Sequence, residues 1–316
     1  MMRYEEFLVG YAACVWSLVA LLLVAEAVVW MKRRLHARER RWLGCAVRQV
    51  WELLTTYDTS DASPGELRRL VRKEALAELL SRVTSAGYGL YYSRMRNLVE
   101  QCDVDVWLLL RARRSHGYRR AYYLKRLSEV PHRRACTQLA ERYLHDGCRE
   151  VRFCALLVQL AADPEHLLHR MMAYEEPFTE TETAEVLHLL RCGVLPIAYR
   201  PLLESPSENL CRVGLALVAQ FEITEAEPLV RQVVMRGDDA LAHRAIYVLA
   251  GLHRSLARRG VRERVVAMSP IERRRLLRYL AAEAYTPAQV CRFCQVEEVA
   301  YYERLSGSYK SLLVGR

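Results

Sequence analysis

Five small residues set the strongest constraint on what this chain can fold into. Ala121, Ala155, Ala184, Gly214 and Ala245 recur at spacings of 34, 29, 30 and 31 residues. Three positions after each stands an aliphatic residue: Leu124, Val158, Leu187, Leu217 and Val248. Each pair belongs to a stretch of helical periodicity. Each such stretch is preceded by another helical one: Asn97–Leu110, Arg133–His145, Pro164–Tyr174, Ile197–Leu203 and Glu225–Arg236. A small side chain lets a neighbouring helix come close, and the aliphatic one turn on fills the shared core. Two-helix units at this period bury their apolar faces only against neighbouring units, which is the signature of an α-solenoid. Sustained period-two alternation, the mark of a half-buried strand, is missing from the sequence.

Helix starts are written in the same code. Ser63-Pro64-Gly65-Glu66, Ser205-Pro206-Ser207-Glu208, Ser269-Pro270-Ile271-Glu272 and Thr286-Pro287-Ala288-Gln289 each place a hydroxyl residue, a proline and then Glu or Gln at the third helical position. The hydroxyl accepts from the exposed amide at N3, proline costs nothing at N1, and the N3 side chain reaches back. Thr179 with Glu182 repeats the box without proline. Many starts imply many short helices.

Glu150-Val151-Arg152-Phe153-Cys154-Ala155, followed by Val158 and Leu160-Ala161, resembles the second helix of a HEAT repeat. So do Leu210–Leu217 and Leu241–Leu249. The resemblance covers about residues 95–255 and implies an all-α fold built as a stack of HEAT-like two-helix repeats; with its long concave face and no catalytic constellation in the sequence, such a stack reads as a non-enzymatic binding scaffold.

At the front, residues 7–30 (FLVGYAACVWSLVALLLVAEAVVW) hold one charge, Glu26. At 1.5 Å per residue they reach roughly 36 Å, enough to cross a hydrocarbon core of about 30 Å as a transmembrane helix. Tyr4 and Trp30 flank the segment where aromatic belts sit. Gly10, Ala13, Cys14 and Ser17 give it a small-residue patch on which another helix could pack. A cleaved signal peptide is the alternative, with Ala25-Glu26-Ala27 as its small-x-small site. The length of the segment and its acidic front end speak against that. Between Lys32 and Arg41 six basic residues face one acid, so the positive-inside rule places the N-terminus outside and everything after Trp30 in the cytoplasm. The expected organisation is a short extracytoplasmic end (1–6), the span of an inner-membrane single-pass protein (7–30), a basic juxtamembrane helix (31–55), a turn-rich linker (56–65) and a cytoplasmic HEAT-like domain (66–316). That order of parts is similar to bacterial membrane-anchored HEAT proteins, and the similarity implies service to an envelope or glycosyltransferase assembly.

The chain carries a net charge of +10, and 43 of its 47 basic residues are arginines. Residues 111–126 hold seven basic residues and no acid, and residues 254–278 hold nine arginines against Glu263 and Glu272. Solvated helix faces, contact with anionic lipid headgroups, and phosphate tracking on nucleic acid all fit such clusters. A membrane tether disfavours nucleic acid. Lys32, Arg33, Arg34, Arg38, Arg40 and Arg41, next to the span, are the candidates for lipid headgroups. Arg119, Arg120, Arg152, Arg212 and Arg244 sit near the starts of successive second helices, where a HEAT-like stack would line its concave face. They are the candidates for holding acidic groups of a protein partner.

Catalytic and metal signatures are weak. Cys291-Arg292-Phe293-Cys294 is the lone CxxC; a zinc site would need two more ligands, so both cysteines read as packing on one helix face. His166 and His169, beside Glu165, have no third ligand close in sequence. Ten cysteines in 316 residues fit free thiols in a reducing compartment, not a disulfide scaffold. The sequence therefore implies no metal, no cofactor, no small-molecule substrate and no catalytic residue. The rival readings are a HEAT-like enzyme or nucleic-acid-binding protein of the DNA glycosylase or bilin lyase type, and a helix-turn-helix at Pro287–Leu305.

Overall fold

The computed structural model describes residues 46–55, 72–87, 91–163, 166–192 and 198–314, with Glu26 and Gly44 besides. The fold is all-α. The helices are α1 (Lys73–Gly87), α2 (Tyr92–Gln101), α3 (Val104–Arg114), α4 (Gly117–Ser128), α5 (Arg134–Glu141), α6 (Arg149–Ala162), α7 (Leu167–Met172) and α8 (Glu180–Cys192). They continue as α9 (Tyr199–Glu204), α10 (Glu208–Gln220), α11 (Glu227–Arg236), α12 (Asp239–Gly251), α13 (Arg259–Ala267), α14 (Pro270–Ala282), α15 (Pro287–Val290) and α16 (Val296–Val314). Among the described residues no helix is long and apolar enough to cross a membrane. The expected 7–30 span lies outside the described residues, Glu26 apart, and so does the 56–65 linker.

Packing follows chain order. The even-numbered helices meet in succession, α4 with α6, α6 with α8, α8 with α10, α10 with α12, α12 with α14 and α14 with α16. Several odd-numbered ones do likewise, α3 with α5, α9 with α11 and α11 with α13. The buried side chains accordingly fall into three apolar clusters strung along the sequence, drawn from residues 46–158, 153–213 and 203–302. Ala46, Val50 and Leu54 belong to the first of them, so the helical residues 46–55 are part of the packed body and not a free stalk. Trp51 meets Tyr91 edge-on at 6.3 Å, and Arg94 donates to the Leu54 carbonyl.

Three of the capping boxes form. Ser269 accepts from the Glu272 amide and Thr286 from that of Gln289, each with the reciprocal bond, while the Thr179 amide donates to Glu182 and the Glu182 amide to Thr179. The Ser205 box does not, and the Ser63 box lies outside the described residues. Helix α10 starts later, with Ser207 as its N-cap, because the Ser205 hydroxyl accepts from the Ser207 amide in a local turn. The helix expected over Asn97–Leu110 is broken in two at Asp103, whose φ of 49° is left-handed.

The small-residue register holds at four of its five positions. Ala121, Ala155, Gly214 and Ala245 are buried, and an added Cβ at Gly214 would stand 2.9 Å from the Leu202 Cβ. Helix α9 can therefore lie that close to α10 only across glycine. Ala184 is exposed; α8 instead buries Thr183, Val186 and Leu190.

His132 lies between α4 and α5, 7% exposed, with Nδ1 donating to the Val130 carbonyl at 3.0 Å. Burial pulls its pKa below the ordinary imidazole value. The unfolded chain therefore takes up this proton first. Stability should fall as pH drops below about 6.5, the unfolded histidine pKa, towards the depressed native value. Denaturant melts between pH 7.5 and 5 should show that loss. His132→Asn, which keeps a donor near Nδ1 and cannot titrate, should flatten the profile; an equally steep profile would show that other groups cause it.

Candidate interaction face

The five arginines expected to face a partner lie on the even-numbered helices: Arg119 and Arg120 on α4, Arg152 on α6, Arg212 on α10 and Arg244 on α12. Four of them are already engaged. Arg120 pairs with Asp146, donates to the carbonyls of Ala112 and Ser115, and lies 5.0 Å from the Tyr143 ring centre. Arg152 donates to the Asp146 carbonyl at 2.6 Å and pairs with Glu176. Glu176 also holds Arg149, which grips Glu182 on α8 at 2.8 Å. Arg212 pairs with Glu208 one turn back, and Arg244 pairs with Glu180, 64 residues away in sequence.

The Arg120, Arg149 and Arg152 pairs tie each helix to the next part of the chain, the Arg212 pair lies within α10, and the Arg244 pair reaches from α12 to the start of α8. Burial pushes the Asp146 carboxyl up, but the Cys148 amide and the Arg120 guanidinium outweigh it and hold the pKa below the usual range. Burial also pulls the Arg244 guanidinium down from its ordinary value, against the pull of Glu180. A charge reversal at Arg152 or Arg244 would set a new carboxylate beside Glu176 or Glu180. It would disturb the packing of the units as well as any outer surface.

Arg119 is different. It is exposed and makes no ion pair among the described residues. It lines a cleft of about 570 Å³ with Arg111, Arg114, Ser115, Tyr118, Tyr122, Tyr123 and Glu74. Arg111 and Arg114 come from the last turn of α3, where cations suit the negative end of the helix dipole. They too are exposed and lack an ion pair among the described residues. Arg111 lies 5.4 Å from the Trp107 ring centre, Trp107 meets Tyr123 edge-on, and Tyr123 meets Tyr122 at 5.3 Å. An aromatic ladder thus backs three guanidiniums, with Tyr118 75% exposed at the rim.

The acid-free run 111–126 carries the signal for this cleft; of the two partner candidates within that run, Arg119 lines the cleft and Arg120 does not. Tyr118 carried no signal of its own. The lipid-headgroup candidates Lys32, Arg33, Arg34, Arg38, Arg40 and Arg41 lie outside the described residues.

The two cysteines of the CxxC part company. Helix α15 ends at Val290; Cys291 is exposed, while Cys294 packs against the third apolar cluster, where burial pushes its thiol up to about 12. His166 turns to Asp163 at 3.0 Å. Among the described residues no group of three or more His, Cys, Asp or Glu side chains could hold a metal ion. No family model, curated protein or solved structure matches the chain.

Proposed function

We propose that this chain is a membrane-anchored interaction scaffold. In this reading the 7–30 segment spans the inner membrane with the rest of the chain in the cytoplasm. The helices stack as HEAT-like two-helix units, and an acidic segment of a protein partner docks in the cleft between α3 and α4. The assembly served is an envelope or glycosyltransferase complex, as the resemblance implies.

One observation carries the docking site. Of the five arginines expected to face a partner, Arg120, Arg152, Arg212 and Arg244 are neutralised by acids of the same chain, whereas Arg119 converges with Arg111 and Arg114 on a cleft with Glu74 as its one acid. Guanidiniums offer forked donors that suit carboxylates, and the tyrosines add apolar contact with a polar edge. The succession of helix contacts along the chain and the three apolar clusters support the stack, in which units bury their faces mainly against neighbours; the contact of α1 with α8 reaches further along the chain.

Crosslinking and capture from membranes with the full chain tests this. Arg111→Glu, Arg114→Glu and Arg119→Glu together should cut recovery of a specific partner by about tenfold or more, since each change removes an attraction and adds a repulsion. Thermal melting should hardly move, because exposed positions without partners change stability by roughly 0.5 kcal/mol or less. Undiminished capture by this variant would overturn the site. Capture lost together with binding to anionic vesicles would reassign the cleft to lipid.

A further inference from the structure

We propose a second binding site, of opposite sign, in the cleft bounded by α10, α12 and α14 and closed at one side by the start of α8: it receives a cationic side chain, a guanidinium or ammonium, presented by a partner protein. The site stands independently of the α3–α4 cleft.

The cleft has a volume of about 760 Å³. Its floor is kept low by small residues, among them Ala216 and Gly251. Its wall is an aromatic pair: Tyr247 and Tyr279, both half-buried, meet edge-on with ring centres 5.1 Å apart. Gly251 is part of that arrangement, since a Cβ there would lie 2.8 Å from the Tyr279 hydroxyl oxygen.

The charges around the cleft do not cancel. Its one arginine, Arg244, is tied to Glu180, and its histidine, His243, faces Glu272 at 3.4 Å. Glu222, at the end of α10, is exposed and has no ion pair among the described residues. Glu283, just past α14, is within hydrogen-bond reach of the Tyr279 hydroxyl and has His253 at 4.0 Å, the edge of ion-pair range. Among the described residues neither carboxylate pairs with an arginine or lysine, so both stand beside the aromatic wall without a full counter-charge, in a chain whose net charge is +10. A cation placed there would meet ring faces and carboxylates at once, and both attract it. An acidic ligand would meet Glu222 and Glu283 as repulsions and would have to displace Glu180 from Arg244.

The test uses the full chain in nanodiscs of zwitterionic lipid. The probes are a blocked Gly-Arg-Gly-Arg-Gly peptide and its glutamate counterpart, followed by calorimetry. The arginine peptide should bind and the glutamate peptide should not. Glu222→Gln with Glu283→Gln, both outside the packed clusters, should weaken binding about tenfold. Tyr279→Leu should do the same, while Tyr279→Phe, which keeps the ring face and releases Glu283 from the hydroxyl, should bind at least as well as the parent. Glu180→Gln frees Arg244 inside the cleft and should also weaken the arginine peptide; if it instead creates tight binding of the glutamate peptide, the site is for acids and the proposal falls. It falls equally if the arginine peptide fails to bind at millimolar concentration, or if the double glutamine variant binds it unchanged.

Discussion

Ala155→Trp and Ala245→Trp should each destabilise the protein by about 3 kcal/mol or more, and Ala184→Trp should leave it nearly unchanged. Ala155 and Ala245 are fully buried, the first where α6 packs on α4 and the second on α12 within the third apolar cluster. Neither site has room for an indole, so the neighbouring helix must shift. Overpacking costs roughly 1–3 kcal/mol for extra methylenes, and a whole ring exceeds that range. At about 2–4 °C per kcal/mol, the melting temperature should drop by roughly 6–12 °C. Ala184 occupies the same place in the sequence repeat, yet it is exposed. An indole there reaches solvent. Equal damage from all three substitutions would show that α8 buries the face carrying Ala184; equal indifference would show that the small residues do not sit where helices meet.

Asp105→Ala should cost about 3 kcal/mol through a different mechanism. Asp105 is fully buried near the start of α3. One carboxylate oxygen accepts from the Val106 amide at 2.9 Å; the other accepts from the Arg133 amide at 3.1 Å and lies 3.5 Å from the Arg133 guanidinium. Arg133 is the N-cap of α5 and supplies no side-chain cap of its own. A residue on α3 therefore ties down the entry to α5, and the Cys136 thiol lies 3.7 Å from the same oxygen. That carboxylate, with burial as the larger cause, pushes the Cys136 thiol up to about 12. Alanine leaves buried N–H groups without an acceptor, at about 1–3 kcal/mol each before relaxation. Arg133 is about one-third exposed, so water recovers part of its loss. Denaturant unfolding would measure the cost, and a double-mutant cycle with Arg133→Met should show the two changes to be non-additive. A loss under about 0.5 kcal/mol would mean that the carboxylate holds nothing together.

The sequence alone determined whatever depends on neighbours within a turn or two. Ser269 with Glu272, Thr286 with Gln289 and Thr179 with Glu182 form their boxes because donor and acceptor are three residues apart, while Ser205, with the same spacing, turns to the Ser207 amide instead. Helical periodicity with small residues at four of five positions sufficed for the all-α class and for most buried residues of α4, α6, α10 and α12. Tertiary structure decided which way each helix is rotated and which charge meets which. Ala184 turns outward because the fixed repeat spacing is not kept at α8; Thr183, Val186 and Leu190 match the neighbouring helices instead. Arg244 finds Glu180 across 64 residues and Lys125 finds Glu185 across 60, pairings that no local pattern encodes. Except for Arg212, whose partner Glu208 lies one turn back, the division between neutralised and open arginines follows from pairings between separate elements. So does the gathering of Glu222, Tyr247, Tyr279 and Glu283 from three helices into one cleft. Hydrogen bonds within a helical turn are set by covalent spacing, whereas ion pairs and clefts are set by how rigid helices dock, and docking is a property of the whole core.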